Sequence, residues 1–546
     1  MLAAHRGEGF VLQTKSFAGL RILGLALLGL LTIGFALWAS YPRMSAVEHL
    51  SGGRSGPVDM PWFFGEVSNG NRLEVDMPVN WLTPRRWQVI PDDRLTALSI
   101  DGRPVPLDAI APEQLSDWRH GFVIDLSPWL SSGVHHLEFT VDNTAWFGHL
   151  TLQPREGWRV WLLAASLLPW LLALCRLFGL GAGQAAILAA TLLVLCSYWG
   201  VTPWTERVYD VKRHGETGHL GYIEYVTEHA SLPRPDQGWE YFQPPLYYAG
   251  GALVKRAADR LGLADTEALR AYTLGLWLLF LAASAATLKL ALRRSHGAVL
   301  LATAALALWP SGIIAGLRIS NDIPLYAAAA VATYFMLRWW RGGRTRHLYG
   351  MALAVALALL SKTSASAVLA AAGLLIGLRL LRHGRWQRPR PWLEALGAGA
   401  VMLAGVALSL GRGIWYWMHG QVSSWLIGSI GTLDADLRVP NTLRQFIPLD
   451  IPTFLTSPWV SSRDDLTGRA NFWNFLLRSS LSGEFDFDRG LQRCIAYFWG
   501  ALLLVLLILL LARAARLRWS PGPLWRELPW VVLGLLWLAS VLSVRI

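Results

Sequence analysis

The chain has 546 residues, 53% of them hydrophobic and only 16% charged, well below the roughly 25% charged residues of soluble domains. Long apolar runs recur, as at 22–39 and 500–515, and about 20 apolar residues span the bilayer core. A soluble protein is thereby excluded, and the +12 net charge argues for topology, not nucleic-acid binding, because of where it falls.

The N-terminal residues Arg6, Lys15 and Arg21 place that end in the cytoplasm under the positive-inside rule. Segment 19–40 lacks a small-residue cleavage site and reads as an anchor. Residues 1–40 thus form a cytoplasmic start and first span. In residues 41–157, Leu73, Val75 and Met77 alternate, as do Leu137, Phe139 and Val141, the period of a half-buried strand. Asp101-Gly102 within 98–105 is a tight hairpin pair. Several such strands predict an extracytoplasmic β-sandwich between spans 1 and 2. It serves either as a structural cap or as a binding part.

About eleven spans are expected in all, near 19–40, 158–179, 183–202, 268–291, 297–316, 322–341, 347–361, 364–382, 393–411, 493–513 and 527–543. Alternate connections carry Arg176; Arg293 and Arg294; Arg338, Arg341, Arg344 and Arg346; Arg379, Arg382, Arg385, Arg388 and Arg390; and Arg513, Arg516, Arg518 and Arg526. These are the expected cytoplasmic loops. By the same parity, 41–157, 203–267 and 412–492 lie outside. The expected domains are therefore 1–40, 41–157, a transmembrane core over 158–411 that includes the outer loop 203–267, an outer region 412–492, and C-terminal spans in 493–546.

Loop 203–267 is dense with ionisable groups. Asp210, His214, Glu216, His219, Glu224, His229 and Glu240 stand among Arg207, Lys212, Arg213 and Arg234. Residues 219–226 predict a short helix on the membrane surface, with Leu220, Ile223 and Tyr222 or Val226 facing lipid; residues 251–261 predict another. GWEYFQPPLYY (238–248) cannot be a plain helix, since proline lacks the amide donor and restrains the residue before it. This corner is expected to hold Glu240 and Gln243 and to offer the rings of Tyr241, Phe242, Tyr247 and Tyr248 as a wall. Asn321 and Asp322 head the sixth span; a carboxylate there is costly without a partner, though both residues also suit helix capping. Lys362 at another outer turn could hold a phosphate or snorkel to the interface. In 412–492, Glu484, Asp486 and Asp488 are candidates to contact the acceptor or form a lid, with solvated loop acids as the reading for most such residues. Cys175, Cys196 and Cys494 have no metal-ligand spacing.

An early acidic residue in a long first polar loop, then GH-x-x-YI-x-Y, LP, E-x-x-QPPLYY and a later ND resembles the GT-C glycosyltransferases. The likeness is to bacterial relatives of protein O-mannosyltransferases and of the lipid A aminoarabinose transferase. It covers about 183–410 and omits the β domain. The resemblance implies an inner-membrane enzyme, its site facing the periplasm or exterior. Such an enzyme transfers a sugar from a polyprenyl-phosphate carrier to a glycan, glycolipid or protein. Asp210 matches the catalytic aspartate, yet it lies nine residues before His219 whereas Glu216 lies three before it, closer to the family's spacing. Asp322 matches the second acidic position. His219, Tyr222, Glu240, Gln243 and Tyr247 would line the substrate site. Lys212, Arg213, Arg318 and Lys362 are the candidates to stabilise the leaving phosphate. No cofactor is assigned; a divalent metal is possible, since Asp210, Glu216 and Asp322 are hard oxygen ligands. A polyprenyl-linked lipid flippase and a non-catalytic membrane scaffold are the rival readings.

Overall fold

The computed structural model describes residues 4–58, 60–65, 67–91, 93–118, 120–144, 148–202, 218–238, 240–292, 295–381, 387–423, 447, 450–456, 472–482, 489–516, 528–529 and 531–535. Helix α1 (Ala4–Ser40) leads into a β region closed by α2 (Trp158–Phe178). The two helices cross closely at Gly29, where a Cβ would come within 2.9 Å of the Trp170 backbone nitrogen; only glycine permits that approach. The Thr32 hydroxyl donates to the Ser166 carbonyl at 2.7 Å across the same contact.

The β region is two antiparallel sheets over one core. The larger has the order β2 (Ser55–Val58), β1 (Ser45–His49), β4 (Ser68–Val79), β9 (Gly133–Asn143), β6 (Arg94–Ile100), β7 (Arg103–Pro104). The smaller runs β3 (Trp62–Phe64), β10 (Gly148–Pro154), β5 (Arg86–Pro91), β8 (Phe122–Asp125). The alternation in the sequence sets the inward face: Leu73, Val75, Met77, Leu137, Phe139 and Val141 are all at most 1% exposed. Burying each such side chain contributes about 1.5–3 kcal/mol. The β6–β7 hairpin turns at Asp101 and Gly102, with φ of 51° and 72°, the left-handed conformation that this pair tolerates.

The helices that follow are α3 (Ala182–Val201), α4 (His219–His229), α5 (Leu246–Leu261), α6 (Asp265–Ala291), α7 (His296–Ala307), α8 (Pro310–Ala315), α9 (Asp322–Gly342), α10 (Thr345–Ser361), α11 (Ser366–Leu381) and α12 (Pro389–Met418). Helical segments follow at Ile451–Thr456, Phe472–Ser482 and Arg489–Arg516. Seven helices, not eleven, are long and apolar enough to cross a membrane among the described residues: Gly19–Ser40, Trp158–Phe178, Ala182–Val201, Asp265–Ala291, Thr363–Leu381, Pro389–Met418 and Gly490–Ile508. The expected span 297–316 is broken between α7 and α8, because Pro310 opens the second helix and cannot continue the first. Helix α9 carries Asp322, Arg338 and Arg341 near its ends. Helix α10 has 17 residues. Most of 527–543 lies outside the described residues.

One end of this bundle carries the chemistry. Strand β10 abuts the last turn of α3, where Gln153 Nε2 donates to the Gly200 carbonyl at 3.1 Å. Beside it, Glu267 at the start of α6 accepts from Trp199 Nε1 at 2.6 Å and from Arg270 at 2.9 Å. Leu269 of the same turn packs with Ile319, just before α9, and with Tyr222, Tyr247 and Tyr248. The start of α9 therefore sits at the end of the bundle that bears the β-sandwich.

Candidate functional site

Helices α4 and α5 form a layer across that end. The apolar face of α4, expected against lipid, turns inward instead: Leu220, Tyr222, Ile223 and Val226 are buried with Tyr247, Tyr248 and Leu269. Gly251 of α5 allows this, since a Cβ there would lie 2.8 Å from the Ile223 side chain. Aromatic stacking fixes the layer, with Tyr222 and Tyr248 ring centroids 3.7 Å apart. Tyr247 and Tyr248 are fully enclosed, so of the four expected wall rings only Tyr241 and Phe242 keep partial exposure.

The Pro-Pro corner is built as a polar bracket. Glu240 adopts φ of +65°, a conformation costing a non-glycine residue about 1–3 kcal/mol. It is also buried, and its carboxylate accepts from Gln243 Nε2 at 2.8 Å. Arg412, from the last turns of α12, holds this backbone in place. Its guanidinium donates to the Tyr222 hydroxyl (2.8 Å) and to the carbonyls of Pro233 (2.9 Å), Tyr241 (2.5 Å) and Gln243 (3.0 Å). Sequence reasoning missed Arg412. Its only signal was a charge interrupting an apolar run at 401–418.

At the start of α9, Asp322 accepts from the Lys362 ammonium at 2.6 Å, and each side chain is about 30% exposed. Lys362 is placed by an extended backbone, φ −158° and ψ 140°, between α10 and a single 3-10 turn at Thr363–Ala365. Capping does not explain the Asn-Asp pair. Asn321 occupies the cap position without making a side-chain cap bond; its amide donates to the Ser361 carbonyl at 3.2 Å instead. Asn321 thus ties the segment before α9 to the residue preceding Lys362.

His219 lies beneath this pair, 2% exposed, with Nδ1 2.7 Å from the Tyr248 hydroxyl. Burial, reinforced by the Lys362 charge and opposed by that of Asp322, holds its pKa down at about 3. The imidazole is neutral at neutral pH and cannot serve as a cation. In an unfolded chain it would take up a proton below about pH 6.5, so the folded layer should lose stability as pH falls from about 6.5 toward 3. Hydrogen exchange through 219–229 should accelerate over that window, beyond the intrinsic pH dependence of exchange, and His219→Asn should flatten the effect. An unchanged profile in the variant would show that another group governs it.

The expected site residues divide into two groups. His219, Tyr222, Glu240, Gln243, Tyr247, Asp322 and Lys362 are brought to one end of the bundle, and Arg318 is buried three residues before Asn321. Asp210, Glu216, Lys212 and Arg213 lie outside the described residues, as do Glu484, Asp486 and Asp488. Among the described residues no group of three or more His, Cys, Asp or Glu side chains is arranged to hold a metal ion.

A family model described as dolichyl-phosphate-mannose-protein mannosyltransferase matches residues 268–408, roughly a quarter of the chain. The matched stretch contains Arg318, Asp322 and Lys362 and stops short of Arg412. No curated protein matches the chain. Together with the helix pattern, the match supports a relationship to GT-C-type membrane glycosyltransferases.

Proposed function

We propose that this multi-pass membrane protein transfers a sugar, with inversion, from a polyprenyl-phosphate carrier to a glycan, glycolipid or protein at the outer face of the cytoplasmic membrane. The observation that carries this reading is the half-exposed Asp322–Lys362 pair, set over a neutral His219 and lying within the family match. A carboxylate partly buried among apolar helices of a membrane protein is a functional candidate by default.

In this reaction the acceptor hydroxyl oxygen attacks the anomeric carbon. The carbon–oxygen bond to the carrier phosphate breaks, and its electron pair leaves on the phosphate. Asp210 takes the hydroxyl proton, with Glu216 as the alternative base. Lys212, Arg213, Arg318 and Lys362 stabilise the charge growing on the phosphate. Lys362 spends one of its three N–H donors on Asp322, and the others can reach a ligand. Asp322 then acts chiefly by orienting that ammonium.

Purified protein in liposomes, given a labelled polyprenyl-phosphate sugar and candidate acceptors, separates the readings. Turnover to a glycosylated acceptor supports the enzyme. Carrier movement across the bilayer without transfer supports the flippase, and neither supports a scaffold. Asp210→Asn should lower transfer by about 10²–10⁴-fold with expression intact. Full activity in that variant, with loss in Glu216→Gln, moves the base to Glu216. Trapping of a covalent glycosyl–enzyme intermediate would refute inversion by direct displacement.

A further inference from the structure

A cleft of about 330 Å³ lies between the β-sandwich and the bundle, lined by Trp38 in the last turn of α1 and Tyr41 and Arg43 just after it, by Val79, Asn80 and Val134 of the sandwich, and by Gly262 at the end of α5. It is unrelated to the bracket and ion pair described above. Its rim is unusually apolar for a soluble domain's surface. Trp81 is 74% exposed, Val134 69%, Leu261 67% and Trp38 41%.

Three observations say what covers this rim. The turn carrying Trp81 is rigid: Asn80 N donates to Thr83 Oγ1 (2.9 Å), Leu82 N to Asn80 Oδ1 (2.8 Å) and Thr83 N to the Asn80 carbonyl (3.1 Å). The indole is thus presented outward by a fixed turn. The turn is also anchored to a span end, since Asn80 Nδ2 donates to the Trp38 carbonyl at 3.4 Å, two residues before α1 ends. Finally, the patch continues the exposed apolar stripe of α1, through Leu23, Leu27, Leu31, Phe35 and Trp38, which in a spanning helix faces lipid. Tryptophan at the level of a span end is the side chain that suits the headgroup layer, its ring in the apolar boundary and its N–H toward water. On the other side of the cleft Arg43 pairs with Asp259 of α5 at 2.9 Å, which leaves the seat nearly neutral.

We propose that this face is a lipid seat: the base of the β-sandwich rests in the interfacial layer of the bilayer, Trp81 and Val134 dip among the headgroups, and phospholipid fills the cleft. The extracytoplasmic domain is therefore held at a fixed height and tilt over the membrane, not merely tethered by α1 and α2. This inference needs only the membrane reading and is independent of the transferase.

Single spin labels test it in the full chain in phosphatidylcholine–phosphatidylglycerol nanodiscs. Cys494 is exposed whereas Cys175 and Cys196 are buried, so Cys494→Ser supplies the background. Labels are placed at W81C and V134C, with S51C at the opposite end of the larger sheet as the aqueous reference. Positions 81 and 134 should collide several-fold less with a water-soluble nickel chelate than position 51 does, and more with oxygen. Chelate accessibility at 81 and 134 equal to that at 51 would overturn the proposal. So would protection of both sites from both reagents, which would mean a protein and not lipid covers the face. The substitutions are on the surface, and a gel-filtration profile matching the parent shows that the chain is folded.

Discussion

Asp322→Asn should abolish transfer from a labelled carrier, lowering the rate by about 10²-fold or more, with the protein still inserted and folded. Asp322 and Lys362 are 2.6 Å apart and each about 30% exposed. Solvent screening leaves such a pair about 1 kcal/mol or less of folding stability, too little for its loss to unfold the chain. Under the proposed transfer the catalytic cost is expected to be larger, because the ammonium would lose the carboxylate that aims it at the leaving phosphate. Lys362→Met should give a similar loss. The decisive variant is the exchange Asp322→Lys with Lys362→Asp. It keeps an ion pair and the packing, so a structural role predicts recovery, whereas a role in orienting a cation predicts a dead enzyme. Wild-type turnover in the exchanged variant would reduce the pair to a helix-end tether.

The second large effect is expected at Arg412. One guanidinium makes four hydrogen bonds, three of them to backbone carbonyls between Pro233 and Gln243. Hydrogen bonds from a charged donor are worth about 1.5–3 kcal/mol each and do not simply add. Arg412→Ala should therefore release the bracket by about 3 kcal/mol, close to a hundredfold rise in amide exchange at Tyr241 and Gln243. The same variant should lose transfer by a comparable factor, because Glu240 holds its φ of +65° only while the corner is clamped. Arg412→Lys should recover little, since an ammonium lacks the planar fork that reaches several carbonyls at once. Normal exchange across 233–243 in Arg412→Ala would show that the prolines alone fix the corner.

These two variants also mark the limits of reading the chain alone. Asp322 and Lys362 were each legible as costly charges at the ends of apolar runs, but each had a bland alternative, capping for one and snorkelling for the other. In the structure the two residues are each other's partner across 40 positions, and Asn321 makes no side-chain cap bond. Arg412 had no local motif at all; it acts on carbonyls 169 to 179 positions away. A helix over 219–226 was foreseen, three residues shorter than the observed one, and its orientation was not. Its apolar stripe suits lipid and protein equally, and the glycine that lets protein win, Gly251, sits on another helix.

The sequence by itself determined the elements whose physics is local. Apolar runs near bilayer length specify seven of the eleven expected spans among the described residues, and strict alternation specifies the central strands β4 and β9. The turn pair Asp101-Gly102 specifies its hairpin, whereas the break that Pro310 makes in the expected span 297–316 was not read in advance. Each depends on neighbours a few residues apart, where periodicity and backbone sterics already settle the outcome. Only the tertiary structure decided which polar groups meet: Asp322 with Lys362, His219 with Tyr248, and Arg412 with the Pro-Pro corner. It also set Trp81 beside the end of α1. Such pairings follow from how helices cross and where a separate sandwich rests, and these are set by long-range packing of faces that look alike in sequence.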